Sequence, residues 1–318
     1  MSAHFDGWPH IIISQQFSRE WLEQEFFPLT NDMEKIFKEG GNNLLSGKRM
    51  VSFFYQSSTR TRASFEMAMD YLGGRVVFST ENAREFSSAK KGETFRDTIL
   101  VLNRYKPDVI VLRYDQEIGA ELAANVSKVP ILNAGDRDPG QHPTQALLDL
   151  RTVLNLLFKI DGLSIAMVGD LMNGRTVRSL SYLLGKFSGV KIYFVSPENA
   201  KMREDVKDYL IRHDIWFTEL TDLREVASFV DVIYQTRTQK ECGTFFDRND
   251  HNLGYFIIDK TILDLMRADA IIMHPLPKVD EITSEVDSDP RAVYLTHQID
   301  SGLFTRMALL KMVVSPNS

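Results

Sequence analysis

Apolar runs of β type alternate with helix-length amphipathic segments along the whole chain. Eight runs read as strands: "RMVSFFY" from 49, "GRVVFS" from 74, "DVIVLRY" from 108, "VPILNAG" from 129, "LSIAMVGD" from 163, "VKIYFVS" from 190, "VDVIYQT" from 230 and "AIIMHPL" from 270. Their near-continuous Val, Ile and Leu suit strands buried on both faces of a parallel sheet. With helices between them, the pattern predicts an α/β fold of two domains, each a parallel β-sheet flanked by helices. The segment "PTQALLDLRTVLNLLFKIDG" from 143 is apolar at 146, 147, 150, 153, 154, 156, 157 and 158, which predicts a long, largely buried helix. Four strand candidates precede it and at least four follow. The boundary is therefore placed beside it: residues 1–145 form one domain, completed by an apolar helix at 300–318, and residues 146–299 form the other.

A chain of 318 residues is long for one core, which agrees with two domains. The formal net charge of −6 argues against a nucleic-acid surface, so any anion site must be a local cluster of cations. A single cysteine, Cys242, makes no internal disulfide and fits a reducing compartment. No apolar stretch approaches the roughly 20 residues of a membrane span, and the start lacks a signal-peptide layout. The expected location is cytoplasmic, with no membrane partner.

In open α/β sheets, ligands bind beyond the carboxyl ends of the strands. The polar residues there form a set. After the first strand, Ser58, Thr59, Arg60 and Thr61 stand at a strand-to-helix junction, where free amides and a helix dipole favour an anion. A helix cap explains one of these hydroxyls, but not several interleaved with arginine, so phosphate binding is the expectation. "SSAKKGET" (87–94) reads by itself as a solvated loop. "HPTQ" (142–145) opens the long helix; Pro143 suits its first turn. Its neighbour His142 would be a neutral donor able to polarise a carbonyl, although a capping histidine fits the spacing equally well.

"GDLMNGRT" (169–176) lies between a strand and a helix but lacks the G-x-G-x-x-G fingerprint, so a dinucleotide is rejected and Arg175 is kept as an anion binder. Arg237 and Gln239, two residues apart, share a side if extended. Together with Arg175 they suit a substrate with two carboxylates. "HPLP" (274–277) leaves backbone carbonyls able to accept hydrogen bonds. With no HExxH, Cys pair, nucleophile elbow or Walker lysine, no metal and no cofactor are expected. Anion binders and carbonyl polarisers without a covalent nucleophile point to group transfer by positioning and electrostatics.

Taken together, these clusters resemble the aspartate/ornithine carbamoyltransferase family over nearly the whole chain. "FFYQSSTRTRASFEMAM" and "HPTQALLDL" are similar to its two signatures; "SSAKKGET", "MVGDLMNGRTVRSL", "TRTQKE" and "MHPLPKVDEI" resemble the aspartate branch. The resemblance implies carbamoyl phosphate in the N-terminal domain, L-aspartate in the C-terminal one, and an active site in the interdomain cleft. Ser58, Thr59, Arg60, Thr61 and Arg113 would hold phosphate; Thr61, Arg113 and His142 would polarise the carbamoyl oxygen. Gln145 and the carbonyls of Pro275 and Leu276 would meet the carbamoyl NH₂, and Arg175, Arg237 and Gln239 the aspartate carboxylates. Ser87 and Lys91 would enter from a neighbouring subunit of a homotrimer.

The chain also departs from the pattern. Gln56 and Cys242 stand where the allosteric members have a Glu and an Arg of one inter-domain charge network, so both ends of that pair are changed together. Met172 and Asn173 replace a Lys-Tyr pair, which leaves a regulatory subunit unsupported. The alternatives are a related carbamoyltransferase with another amine acceptor, and a non-catalytic paralogue. The paralogue would be expected to lack some of Arg60, Lys91, Arg113 and His142, all of which are present.

Overall fold

The computed structural model describes residues 10–116, 118–137, 140–237 and 256–315. The chain divides into two compact units, Met1–Leu147 with Ser301–Ser318, and Leu148–Asp300. The first holds strands β1 (Arg49–Phe54), β2 (Arg75–Thr80), β3 (Val109–Arg113) and β4 (Ile131–Asn133). Its helices are α1 (Arg19–Trp21), α2 (Phe27–Lys38), α3 (Thr59–Tyr71), α4 (Ala83–Phe86), α5 (Phe95–Arg104) and α6 (Gly119–Ala124). Helix α7 (Pro143–Leu157) carries the chain into the second unit. That unit has β5 (Ser164–Val168), α8 (Arg175–Leu184), β6 (Lys191–Val195), α9 (Glu204–Arg212), β7 (Trp216–Leu220), β8 (Val232–Gln235), α10 (Lys260–Leu265) and β9 (Ile271–Met273). Helix α11 (His297–Val314) leads back to the first.

Both sheets are parallel, with orders β2-β1-β3-β4 and β7-β6-β5-β8-β9. Burial explains why apolar runs became the central strands β1 and β3. Every residue of β3 is buried, as are five of the six in β1, and a fully buried aliphatic side chain stabilises by about 1.5–3 kcal/mol. Val51, Phe53, Ile110, Leu112 and Ile131 join Ile99 and Leu102 of α5 in one core cluster. The start of α5 is set by Thr94, whose hydroxyl accepts from the Asp97 amide at 3.1 Å.

Three details differ from the hydrophobic pattern. Strand β2, expected to be buried on both faces, is an edge strand and mostly exposed. Strand β7 was not among the apolar runs, because this edge strand is half-exposed and its sequence, WFTEL, mixes polar with apolar positions. Helix α7 is buried from Thr144 to Val153 but stops at Leu157, short of the predicted end. Phe158 there adopts φ +57° and is 86% exposed; a left-handed residue cannot continue a right-handed helix.

The strand orders also locate the ligand-binding ends. A chain that builds outward in both directions from two adjacent central strands leaves a crevice between them at their carboxyl ends. In the first sheet these are β1 and β3, paired through Phe54 and Arg113; in the second they are β5 and β8, paired through Val168 and Gln235.

Candidate active site

In the first unit the β1–β3 crevice collects most of the predicted anion site. Ser58 is the N-cap residue of α3, yet its side chain makes no capping hydrogen bond. The first helical bond runs from the Arg62 amide to Ser58 O at 3.1 Å, so the amides of Thr59, Arg60 and Thr61 precede the ladder and present the positive end of the helix. The Ser58 amide donates to the carboxylate of Glu81, whose other oxygen lies 3.6 Å from Arg62 Nη2. Thr59 and Arg60 are exposed, and partial desolvation lowers the Arg60 pKa from its ordinary value.

Arg113, at the end of β3, is buried and organises the rest. Its Nη2 donates to Thr61 Oγ1 at 3.1 Å and lies 3.2 Å from His142 Nε2, while its Nε donates to Ala134 O at 2.9 Å. A guanidinium only donates, so His142 Nε2 is the acceptor here, and the neutral ring carries its proton on Nδ1, 3.4 Å from Thr144 Oγ1. The sequence predicted a ring that donates; in this arrangement the nitrogen facing Arg113 accepts instead. The His142 carbonyl accepts from the Gln145 and Ala146 amides at 3.0 and 3.2 Å, placing the imidazole at the start of α7, and Gln145 is buried within the first turn.

Gly135 lets these side chains approach. It has φ +107°, and a Cβ there would lie 2.9 Å from His142 Cδ2 and 3.4 Å from Arg113 Nη2. Gly135→Ala is expected to lower kcat by on the order of 10–100-fold, the scale at which an ångström of misplacement acts. Steady-state kinetics on the folded variant, with its cooperative unfolding checked in parallel, measures this.

Ser87 and Lys91 lie on the segment after α4. Ser87 caps the 3₁₀ turn Ser88–Lys91, accepting from the Ala89 amide at 3.2 Å and donating to Ala83 O at 2.6 Å; Lys91 is exposed. The segment read as a solvated loop is indeed exposed or half-exposed throughout, and it also folds into this turn.

In the second unit, Arg175 is the first residue of α8, following β5, and Arg237 follows β8; both are half-buried. They stand beyond the two central strands of this sheet. Asn173 folds back on Asp170, donating its backbone amide at 3.1 Å. Gln239 and Cys242 lie outside the described residues. Pro275 and Leu276 follow β9, with Leu276 at φ +57° and a cis bond to Pro277.

A polar network behind β9 was not legible in the sequence. The His274 ring is 1% exposed; its Nδ1 accepts from the Leu276 amide at 2.7 Å and its Nε2 lies 2.8 Å from Glu281 Oε1. The His274 amide donates to Gln298 Oε1 at 2.9 Å, Gln298 Nε2 to Asp149 Oδ1 at 2.6 Å, and Tyr234 OH to Asp149 Oδ2 at 2.7 Å. Burial, reinforced by the Asp149 carboxylate, pushes the Tyr234 phenol far up and keeps it a donor. For Glu281, burial alone would raise the pKa, but the bonds from His274 and the Val279 amide outweigh it, and the net shift is downward. Among the described residues no cluster of His, Cys, Asp and Glu has metal-site form, and no helix is long and apolar enough to cross a membrane.

Two parallel α/β units carry cationic residues beyond the central carboxyl ends of both sheets, an arrangement suited to anionic ligands. The chain belongs to the aspartate/ornithine carbamoyltransferase family: the model of the carbamoyl-P binding domain matches residues 9–155 and that of the Asp/Orn binding domain residues 161–313. It is 53% identical to "Aspartate carbamoyltransferase, chloroplastic" of Arabidopsis thaliana over 306 residues, 96% of this chain and 77% of the relative. The aspartate carbamoyltransferase catalytic subunit of Methanopyrus kandleri is 40% identical, covering 96% of each. Among solved structures, aspartate transcarbamoylase of Trypanosoma cruzi in complex with carbamoyl phosphate and aspartate superposes with a TM-score of 0.89. It is 38% identical, over 96% of this chain and 95% of that one.

Proposed function

We infer that the protein is an aspartate carbamoyltransferase, moving the carbamoyl group of carbamoyl phosphate to the amine of L-aspartate and releasing N-carbamoyl-L-aspartate and phosphate. The observation that carries this reading is the buried contact of Arg113 with both Thr61 and His142 at the N-terminus of α3. Phosphate sits against the Thr59, Arg60 and Thr61 amides, with the Ser58 and Thr59 hydroxyls and the guanidiniums of Arg60 and Arg113 supplying further donors. The carbamoyl oxygen points to Thr61, Arg113 and His142, and its NH₂ to Gln145 and the carbonyls of Pro275 and Leu276. Arg175, Arg237 and Gln239 grip the two aspartate carboxylates.

The amine attacks the carbonyl carbon, and negative charge grows on the oxygen. Donors already fixed in a buried site stabilise that charge without reorganising. Thr61 Oγ1 accepts from Arg113 and keeps its own proton to donate. His142 donates from Nε2 after a change of tautomer, which the Thr144 hydroxyl beside Nδ1 supports because it can donate as well as accept. The tetrahedral intermediate collapses by breaking the C–O bond to phosphate, and the departing phosphate takes the proton that the amine loses.

The active form is a homotrimer in which Ser87 and Lys91 complete the site of the next subunit. A surface feature supports an assembly: the edge strand β2 exposes Val77 and Phe78, and the segments of α4 and α5 expose Phe86, Leu100, Val101 and Tyr105. An apolar sheet edge left open in this way invites cover. As for location, the Arabidopsis relative is chloroplastic by name, so the cytoplasmic address is carried only by the cysteine usage and stays a proposal. The deciding experiment is carbamoyl-phosphate-dependent product formation with aspartate, ornithine and other amines in parallel. Carbamoyl-aspartate is expected; turnover of another amine without it overturns the assignment of acceptor.

A further inference from the structure

We propose that His274 and Glu281 are a positioning pair for the transfer: the imidazole, held by Glu281, fixes Leu276 so that the Pro275 and Leu276 carbonyls face the carbamoyl NH₂. This rests on the reading above, which gives those two carbonyls a ligand. Neither His274 nor Glu281 contacts substrate in that reading; they act through the backbone.

Both ring nitrogens are assigned by their partners. The Leu276 amide is a donor, so Nδ1 accepts, at 2.7 Å. Nε2 therefore carries the proton and donates to Glu281 Oε1 at 2.8 Å. Glu281 Oε1 also accepts from the Val279 amide at 3.1 Å, while the Glu281 carbonyl accepts from the Ile258 amide at 3.0 Å. The carboxylate thus stands on fixed backbone and orients the ring. The His274 amide is fixed in turn through Gln298 to Asp149.

What the ring holds is an unfavourable conformation. Leu276 is at φ +57°, a region that a leucine enters only when its surroundings impose it. Its amide bond to His274 Nδ1 spans two residues, the same reach by which an asparagine or aspartate side chain closes a turn on its own backbone. The buried ring and the half-buried Glu281 carboxylate are thereby committed to the direction of one dipeptide's carbonyls. That degree of constraint is what a group aimed at a reacting amide requires, because misdirection by an ångström costs on the order of 100-fold in rate.

The turn analogy supplies the test. In His274→Asn, the short amide oxygen reaches the Leu276 amide and keeps the turn, although Glu281 loses its partner. In His274→Gln, the longer side chain reaches toward Glu281 but leaves the Leu276 amide without its acceptor. If the pair positions the carbonyls, kcat should fall on the order of 100-fold in His274→Gln and roughly tenfold less in His274→Asn. Glu281→Gln keeps an acceptor for Nε2–H and should stay within a few-fold of His274→Asn. Inorganic phosphate, titrated calorimetrically, should bind all three variants as it binds the unaltered protein.

Equal kcat values for His274→Asn and His274→Gln at similar melting temperatures would show that the ring is only packing, and would overturn the proposal. So would an unchanged kcat in His274→Gln. Failure of the unaltered protein to bind phosphate or to form carbamoyl-aspartate would instead count against the proposed function, so the two failures are separable.

Discussion

Arg113→Ala is expected to lower kcat/KM for carbamoyl phosphate by roughly four orders of magnitude. Removing one fixed donor to a developing oxyanion costs on the order of 10²–10³ in kcat. Loss of a charge-assisted contact to phosphate, about 1.5–3 kcal/mol, accounts for the rest through KM. The substitution also strips partners from Thr61 Oγ1, His142 Nε2 and Ala134 O, all of which Arg113 contacts, so some loss of thermal stability should accompany it. Arg113→Lys is the informative companion. Lysine keeps the charge but not the planar fork that spans three acceptors, so activity should stay close to that of the alanine variant. A loss below tenfold in Arg113→Ala, measured by carbamoyl-aspartate formation, would remove Arg113 from the reaction.

Complementation between two inactive variants should produce the second large effect. Lys91→Ala and Arg113→Ala are each expected to be almost inactive alone. Dissociated, mixed in equal amounts and reassembled, they should regain activity at about a quarter of the sites, because a site needs Arg113 intact in one subunit and Lys91 intact in its neighbour, each with even odds. Each variant taken separately through the same treatment must stay inactive. A mixture as inactive as its components would place Lys91 in the same subunit's site, or outside the site altogether.

The hydrophobic pattern revealed the central strands β1, β3, β5, β6 and β8 because burial on both faces writes itself as a continuous apolar run. It also caught the edge strands β2, β4 and β9, whose short runs are apolar although β2 is largely exposed. Edge strand β7 escaped because its exposure to solvent lets Thr218 and Glu219 interrupt the apolar residues Trp216, Phe217 and Leu220. The anion groups were legible for a related reason: Arg60, His142 and Arg175 follow a run that reads as a strand and Arg113 ends one, at the strand ends where α/β sheets bind ligands. What holds those groups was not legible. Asp149 and Gln298 are hydrogen-bonded across 149 positions, and no local spacing announces that contact. His274 was visible only as part of a proline-restricted loop; its role depends on which partner each ring nitrogen faces. The tautomer of His142 was hidden likewise, since it follows from Arg113 being a donor only.

The two central crevices have a consequence for how such a protein can change. The α3 loop and Arg113 belong to one sheet, while Arg175, Arg237 and the 274–277 loop belong to the other. In the proposed reading, the groups that grip the aspartate carboxylates follow β5 and β8, whereas the 274–277 loop serves the carbamoyl group together with the first unit. On that reading, a lineage can re-tailor the loops after β5 and β8 to admit a new amine while the groups that activate the carbamoyl donor are inherited intact. An engineer seeking a new acceptor has the same freedom: diversify those two loops and leave the strand-to-helix turn at 57–62 and the 274–277 loop alone.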